Sequence, residues 1–141
     1  ELETAFRKQR ELEATLQHYL TPETLFEAVP TLRMVAMTED EIKLRARKLA
    51  GSLKAIPGAI VEVVPDASQL GGGSTPGQEL PTWVVALAGD RKSAQELSDA
   101  LRAHEPPIFA RVKKDRCLFD PRTLQPGEDV EVVRAVRKIL A

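Results

Sequence analysis

The order of elements predicts an α+β fold: one mostly antiparallel sheet with helices on one face, preceded by a long helix. Three observations carry that reading. Apolar, β-branched runs at residues 59–64 and 82–88 read as strands. Helical periodicity with start signals brackets them at residues 38–53, 90–101 and 128–140. Residues 108–112 and 116–120 are two further strand-like runs, close enough to form a hairpin. Strands separated by helices and closed by a hairpin pack as a small two-layer unit.

Residues 1–20 form the long helix. Leu2, Phe6, Leu12, Leu16 and Leu20 recur near helical spacing, with charges between them and no Gly or Pro. Thr21 is placed to cap a second helix, with Pro22 at its first position, where a missing N–H is harmless. That helix runs to Val29 and is ended by Pro30. The domain reading is therefore a linking helix plus short helix over 1–29, and a small α+β domain over 30–141.

Thr38 and Glu41 make a capping box. The helix they open puts Ile42, Ala46, Leu49, Ala50 and Leu53 on one face, with Gly51 weakening its end. Pro57-Gly58 is a turn, and the strand at 59–64 stops at Pro65. Residues 66–81 read as a loop. The nearly continuous apolar run at 82–88 calls for burial on both faces, or on one face of a covered sheet. Asp90, Ser93 and Glu96 start the next helix, with Ala94, Leu97 and Leu101 inward. Pro106-Pro107 ends that connection. Lys113-Lys114-Asp115 joins the hairpin strands without the favoured Asn-Gly. The last helix has Glu128, Asp129 and Glu131 in its first turn and Arg134, Arg137 and Lys138 towards its end, as the helix dipole favours.

The chain has 141 residues, 20 Lys+Arg against 21 Asp+Glu, 43% apolar and 29% charged residues, and one cysteine. This is globular composition for one domain, or one domain with an appended element. A single Cys117 excludes an internal disulfide, and two histidines, His18 and His104, leave little for a zinc site. A net charge of -1 argues against a dedicated nucleic-acid-binding domain but permits one basic face. No apolar run approaches the ~20 residues a membrane span needs. The chain starts without Met, inside a helix, which reads as a fragment.

Gly71-Gly72-Gly73-Ser74 is the strongest local feature. Three glycines in a row are entropically costly and are kept where backbone takes positive φ, approaches something closely or moves. An anion nest is one reading and a mobile or tightly packed loop the simpler one. No Lys-Ser/Thr follows, so it is not a nucleotide P-loop. Arg111, Lys113, Lys114, Arg116 and Arg122 crowd the hairpin, either to contact phosphate or as a solvated tip whose charges protect an edge strand. Trp83 reads as core or interface. Cys117 alternates into a strand and reads as a buried, inert thiol. Glu79, in a loop between Gly77 and Pro81, has no partner carboxylate in sequence. No complete catalytic constellation and no metal-ligand set is present.

Several blocks together resemble one family. Leu12-Glu13-Ala14-Thr15-Leu16, Tyr19-Leu20 and Pro30-Thr31-Leu32-Arg33-Met34 come first, then residues 71–83 with the pattern GGGS-x-PG-x-ELP. Arg111-Val112 and residues 115–124, with the pattern DR-x-L-x-D-x-RTL, complete the series. The chain is similar over nearly its whole length to the C-terminal portion of bacterial L-seryl-tRNA(Sec) selenium transferases. The resemblance implies the small domain of a fold-type-I pyridoxal 5'-phosphate (PLP) enzyme. It implies conversion of seryl-tRNA(Sec) to selenocysteyl-tRNA(Sec) with selenophosphate, by a cytoplasmic homo-oligomer.

The family's cofactor lysine lies upstream of the matched segment, and no lysine here has a matching context, so no bound PLP is expected in this chain alone. Gly71, Gly72, Gly73, Ser74 and Glu79 are then expected at the active site or a subunit interface. Arg111, Arg116 and Arg122 are expected as anion or tRNA contacts. The family tends to carry Arg-x-Asp-Lys where this chain reads Phe6-Arg7-Lys8-Gln9-Arg10-Glu11, without the Asp. Arg7 and Arg10 join the expected contacts with their register open. Two other readings stand beside this one: an independent binding or assembly module, and the small domain of another fold-type-I lyase acting on a free amino acid.

Overall fold

The computed structural model describes residues 2–69 and 79–141. The described chain contains helices α1 (Leu2–Gln17), α2 (Pro22–Ala28), α3 (Pro30–Ala36), α4 (Glu39–Lys54), α5 (Ala94–Arg102) and α6 (Glu128–Leu140). Its strands are β1 (Ala59–Gln69), β2 (Glu79–Gly89), β3 (Arg111–Lys113) and β4 (Arg116–Phe119). It divides into two compact units, Glu1–Met37 and Thr38–Ala141.

The first unit is helical. α1 ends in a 3-10 turn, His18–Leu20. Thr21 takes the N-cap position of α2 with Pro22 behind it, but the Thr21 side chain makes no capping bond. Pro30 ends α2 and also opens α3, a helix the sequence reading omitted. A proline that cannot continue one helix is well suited to start the next. Leu12, Leu16 and Leu20 stay more than half exposed.

The second unit is a four-stranded sheet in the order β1-β2-β4-β3, every neighbouring pair antiparallel. Val61, Val63, Val85, Leu87, Cys117 and Phe119 share one face and form the core with α4, α5 and α6. The predicted inner face of α4, Ile42, Ala46, Leu49, Ala50 and Leu53, is buried. So are Ala94, Leu97 and Leu101 of α5. Both expected capping boxes are closed, Thr38 with Glu41 and Ser93 with Glu96. Each holds its glutamate carboxyl below the usual range, chiefly through the backbone N–H it accepts. Asp90 does not cap α5; its backbone N–H donates to the Gly58 carbonyl at 3.0 Å.

The strands correct the sequence reading in three places. Pro65 does not stop β1, which continues to Gln69, and β2 begins at Glu79. β1 is an edge strand, so one row of its N–H groups meets no neighbour, and a proline fits there without a lost bond. Residues 66–69 and 79–81, expected in a loop, are thus arms of a long hairpin. β3 starts at Arg111 rather than residue 108, because the Ile108 N–H bonds the Leu101 carbonyl at the end of α5 (2.9 Å). The turn itself is the pair Lys114 and Asp115, at φ 51° and 55°. Both residues adopt the left-handed backbone that a two-residue hairpin needs, in place of Asn-Gly.

Candidate functional site

The sheet face opposite the helices is the chemically distinctive surface of the second unit. Val64, Val84, Ala86 and Leu118 form a small apolar cluster at its centre. Polar side chains are arranged around that cluster in two groups.

The first group centres on Asp120, just past β4 and 9% exposed. β4 pairs with β2 only from Val85 to Leu87, so the far end of the β1–β2 hairpin has no third strand beside it. Asp120 takes over there. Its Oδ1 accepts from Thr82 Oγ1 at 2.9 Å and from the Arg122 N–H at 3.0 Å. Its Oδ2 accepts a short bond from Ser68 Oγ. Arg122, 5% exposed, donates from Nη2 to the Pro81 carbonyl at 2.7 Å. A carboxyl group and a guanidinium from one loop therefore grip both hairpin arms, where a ladder would otherwise be needed.

The second group crosses the sheet. Lys113 Nζ and Arg111 Nη2, on β3, reach Asp66 of β1 at 2.8 and 3.0 Å. Arg116 of β4 reaches Glu62 of β1 at 2.5 Å. The lysine's hydrogen bond, helped by the charges of Arg111 and Lys113, holds the Asp66 carboxyl below its usual value. Two adjoining cavities result. One, of about 340 Å³, lies among Val64, Ala86, Leu118, Lys113, Lys114 and Arg116. The other, of about 410 Å³, includes Ser68, Glu79, Arg111 and Asp120.

The fold distributes the predicted site residues unevenly. Gly71, Gly72, Gly73 and Ser74 lie outside the described residues. Glu79 and Arg111 line one cavity, and Arg116 lines its neighbour. Arg122, expected as an anion or tRNA contact, is buried with its guanidinium donating to the Pro81 carbonyl. Arg7 and Arg10 are exposed on α1 in the other unit, and Arg7 pairs with Glu11 at 3.6 Å. Asp120, Ser68 and Thr82 were missed as a set. Asp120 stood in a quoted motif, but nothing local linked it to residues 38 and 52 positions away.

Nucleophilic and cofactor chemistry find little support among the described residues. Cys117 is buried, donates to the Ala94 carbonyl at 3.3 Å, and has its pKa pushed up to about 11 by burial and then by the Asp115 charge. Schiff-base formation with PLP needs an enclosed, desolvated lysine with an anion cradle. Every lysine here is exposed except Lys43, which is half-buried with its ammonium 3.8 Å from the Trp83 ring centre. The residues present do not fit that cofactor. No cluster of metal-ligating side chains occurs among the described residues, and none of their helices is long and apolar enough to cross a membrane.

Comparison with known proteins gives a consistent answer. The family model for L-seryl-tRNA selenium transferase matches residues 8–125. The L-seryl-tRNA(Sec) selenium transferase of Aquifex aeolicus is 43% identical over 123 residues, 87% of this chain and 26% of that protein. The enzymes so named from Moorella thermoacetica and Nitratidesulfovibrio vulgaris are 40% and 43% identical over 131 residues, 92% of this chain and 28% of theirs. The chain thus spans roughly a quarter of the length of these relatives. With a match that crosses both units and takes in the Asp120 loop, the chain belongs to the L-seryl-tRNA selenium transferase family.

Proposed function

We propose that this chain is the C-terminal part of a PLP-dependent enzyme that converts seryl-tRNA(Sec) to selenocysteyl-tRNA(Sec), with selenophosphate as selenium donor. The observation that carries this reading is the family match over residues 8–125. The enzyme works in the cytoplasm as a homo-oligomer. The cofactor lysine and the bond-making steps belong to the part of the protein that this chain does not contain. The small α+β domain contributes a surface that meets the tRNA substrate, with Arg111 and Arg116 as its contacts.

The test is an assay of the full-length protein with seryl-tRNA(Sec) and selenophosphate, following selenium into the tRNA fraction. Selenocysteyl-tRNA is the expected product. Turnover of free amino acids with no selenium in tRNA would establish the lyase reading instead. Separately, the 141-residue chain mixed with PLP should show no stoichiometric Schiff-base absorbance.

A further inference from the structure

We propose that the cavity over Val64, Ala86 and Leu118 receives a single-stranded nucleotide segment of RNA, its phosphates held by Lys113, Lys114 and Arg116. The proposal rests on the reading that the full-length protein acts on tRNA, and assigns the contact to one place.

Three cations, Lys113, Lys114 and Arg116, line this cavity against one carboxylate, Asp66. The excess is positive although the whole chain carries -1. Lys114, at the exposed tip of the turn, forms no ion pair with any described residue. Arg116 is in a solvent-accessible pair with Glu62, which is weak and easily exchanged. When Lys113 turns to a phosphate, Asp66 keeps Arg111 at 3.0 Å, and when Arg116 turns, Glu62, 60% exposed, is left to solvent.

The shape selects the form of RNA. A cavity of about 340 Å³ accepts a nucleotide-sized group and not a duplex. Its floor is apolar, suited to the face of a ribose or an unstacked base. Among the described residues no aromatic side chain lines it, so binding leans on phosphate contacts and is strongly salt-dependent with little sequence preference.

The experiment is fluorescence anisotropy of the 141-residue chain with a labelled single-stranded oligoribonucleotide of about eight nucleotides, at about 50 mM salt and above. Saturable binding is expected. Lys113→Gln with Lys114→Gln should weaken it at least about tenfold and flatten the salt dependence by one to two units of slope. Lys48→Gln with Lys54→Gln, exposed on α4, should leave it within about twofold. Photocrosslinking of a 4-thiouridine oligonucleotide to the unmodified chain should label the peptides of the cavity and needs no variant.

Lack of saturation at about 200 μM chain would overturn the proposal. So would equal loss in the α4 control, crosslinks elsewhere, or equal competition by a duplex or by polyglutamate. Absent RNA binding beside an active full-length enzyme rejects this site alone. RNA binding beside an enzyme that never acts on tRNA rejects the functional reading alone.

Discussion

Thr82 Oγ1 donates to Asp120 Oδ1 across 2.9 Å, and neither residue is more than a tenth exposed. Thr82 is on the arm of a hairpin and Asp120 in the loop after β4, so this bond ties the two segments together. Replacing Asp120 with Ala strands the Thr82 and Ser68 hydroxyls and the Arg122 N–H. A loss of about 3 kcal/mol is expected in urea unfolding, since each buried group left unsatisfied costs about 1–3 kcal/mol. Asp120→Asn should cost under about 1 kcal/mol, because the amide can donate to Ser68 Oγ while its oxygen keeps the other two bonds. Equal losses for Ala and Asn would show that charge, not hydrogen bonding, matters here.

Lys114 is held at φ 51°, a backbone conformation that costs a side chain about 1 kcal/mol. Lys114→Gly should therefore raise stability by about 0.5–1 kcal/mol, read as a higher melting temperature. Asp115→Gly should gain less despite its φ of 55°, because it loses the bond from the Ala94 N–H to Asp115 Oδ1.

The depressed carboxyl of Asp66 makes a directional pH prediction. Its folded pKa lies below its unfolded one, so its contribution to stability is complete above the unfolded value, about 3.9. That contribution is lost as pH falls through the folded value. Lys113→Met should raise the Asp66 midpoint in a carboxyl NMR titration. It should also narrow the stability difference between pH 7 and acid. An unmoved midpoint would mean that Arg111 alone sets it.

At pH 8 a thiol with its pKa near 11 carries on the order of 100-fold less thiolate than an ordinary one. Cys117 in the folded chain should resist alkylation by iodoacetamide at pH 8 and react promptly in urea. Mass spectrometry of the folded and unfolded chain gives the ratio directly.

Ser93 and Thr38 close two distant capping boxes. Ser93→Ala and Thr38→Ala should each cost about 1 kcal/mol, and the double variant about the sum of the two. Thr21→Ala should be nearly neutral, since Thr21 makes no side-chain capping bond.

Much of this was legible in the chain itself because it is short-range. Thr38 and Glu41 are one helical turn apart, and so are Ser93 and Glu96; their partnership needs no other element. The inward faces of α4 and α5 follow from helical repeat, and Cys117 falls inward by strand alternation. The blocks at 71–81 and 115–124 were specific enough to name the family, which the match over 8–125 supports. What tertiary structure decided is long-range. Pro65 reads as a stop until β1 is known to be an edge strand. Arg122 reads as one more surface cation until Pro81 is found beside it. Asp120 stands in a recognisable block but nothing local names its partners, because Ser68 and Thr82 reach it only when the sheet brings distant segments together. Asp66 and Glu62 likewise meet their cations across three or four strands. Hydrogen bonds and ion pairs act over a few ångströms of space, whereas sequence patterns report only neighbours along the chain, so the caps and core faces could be read in advance and the open face could not.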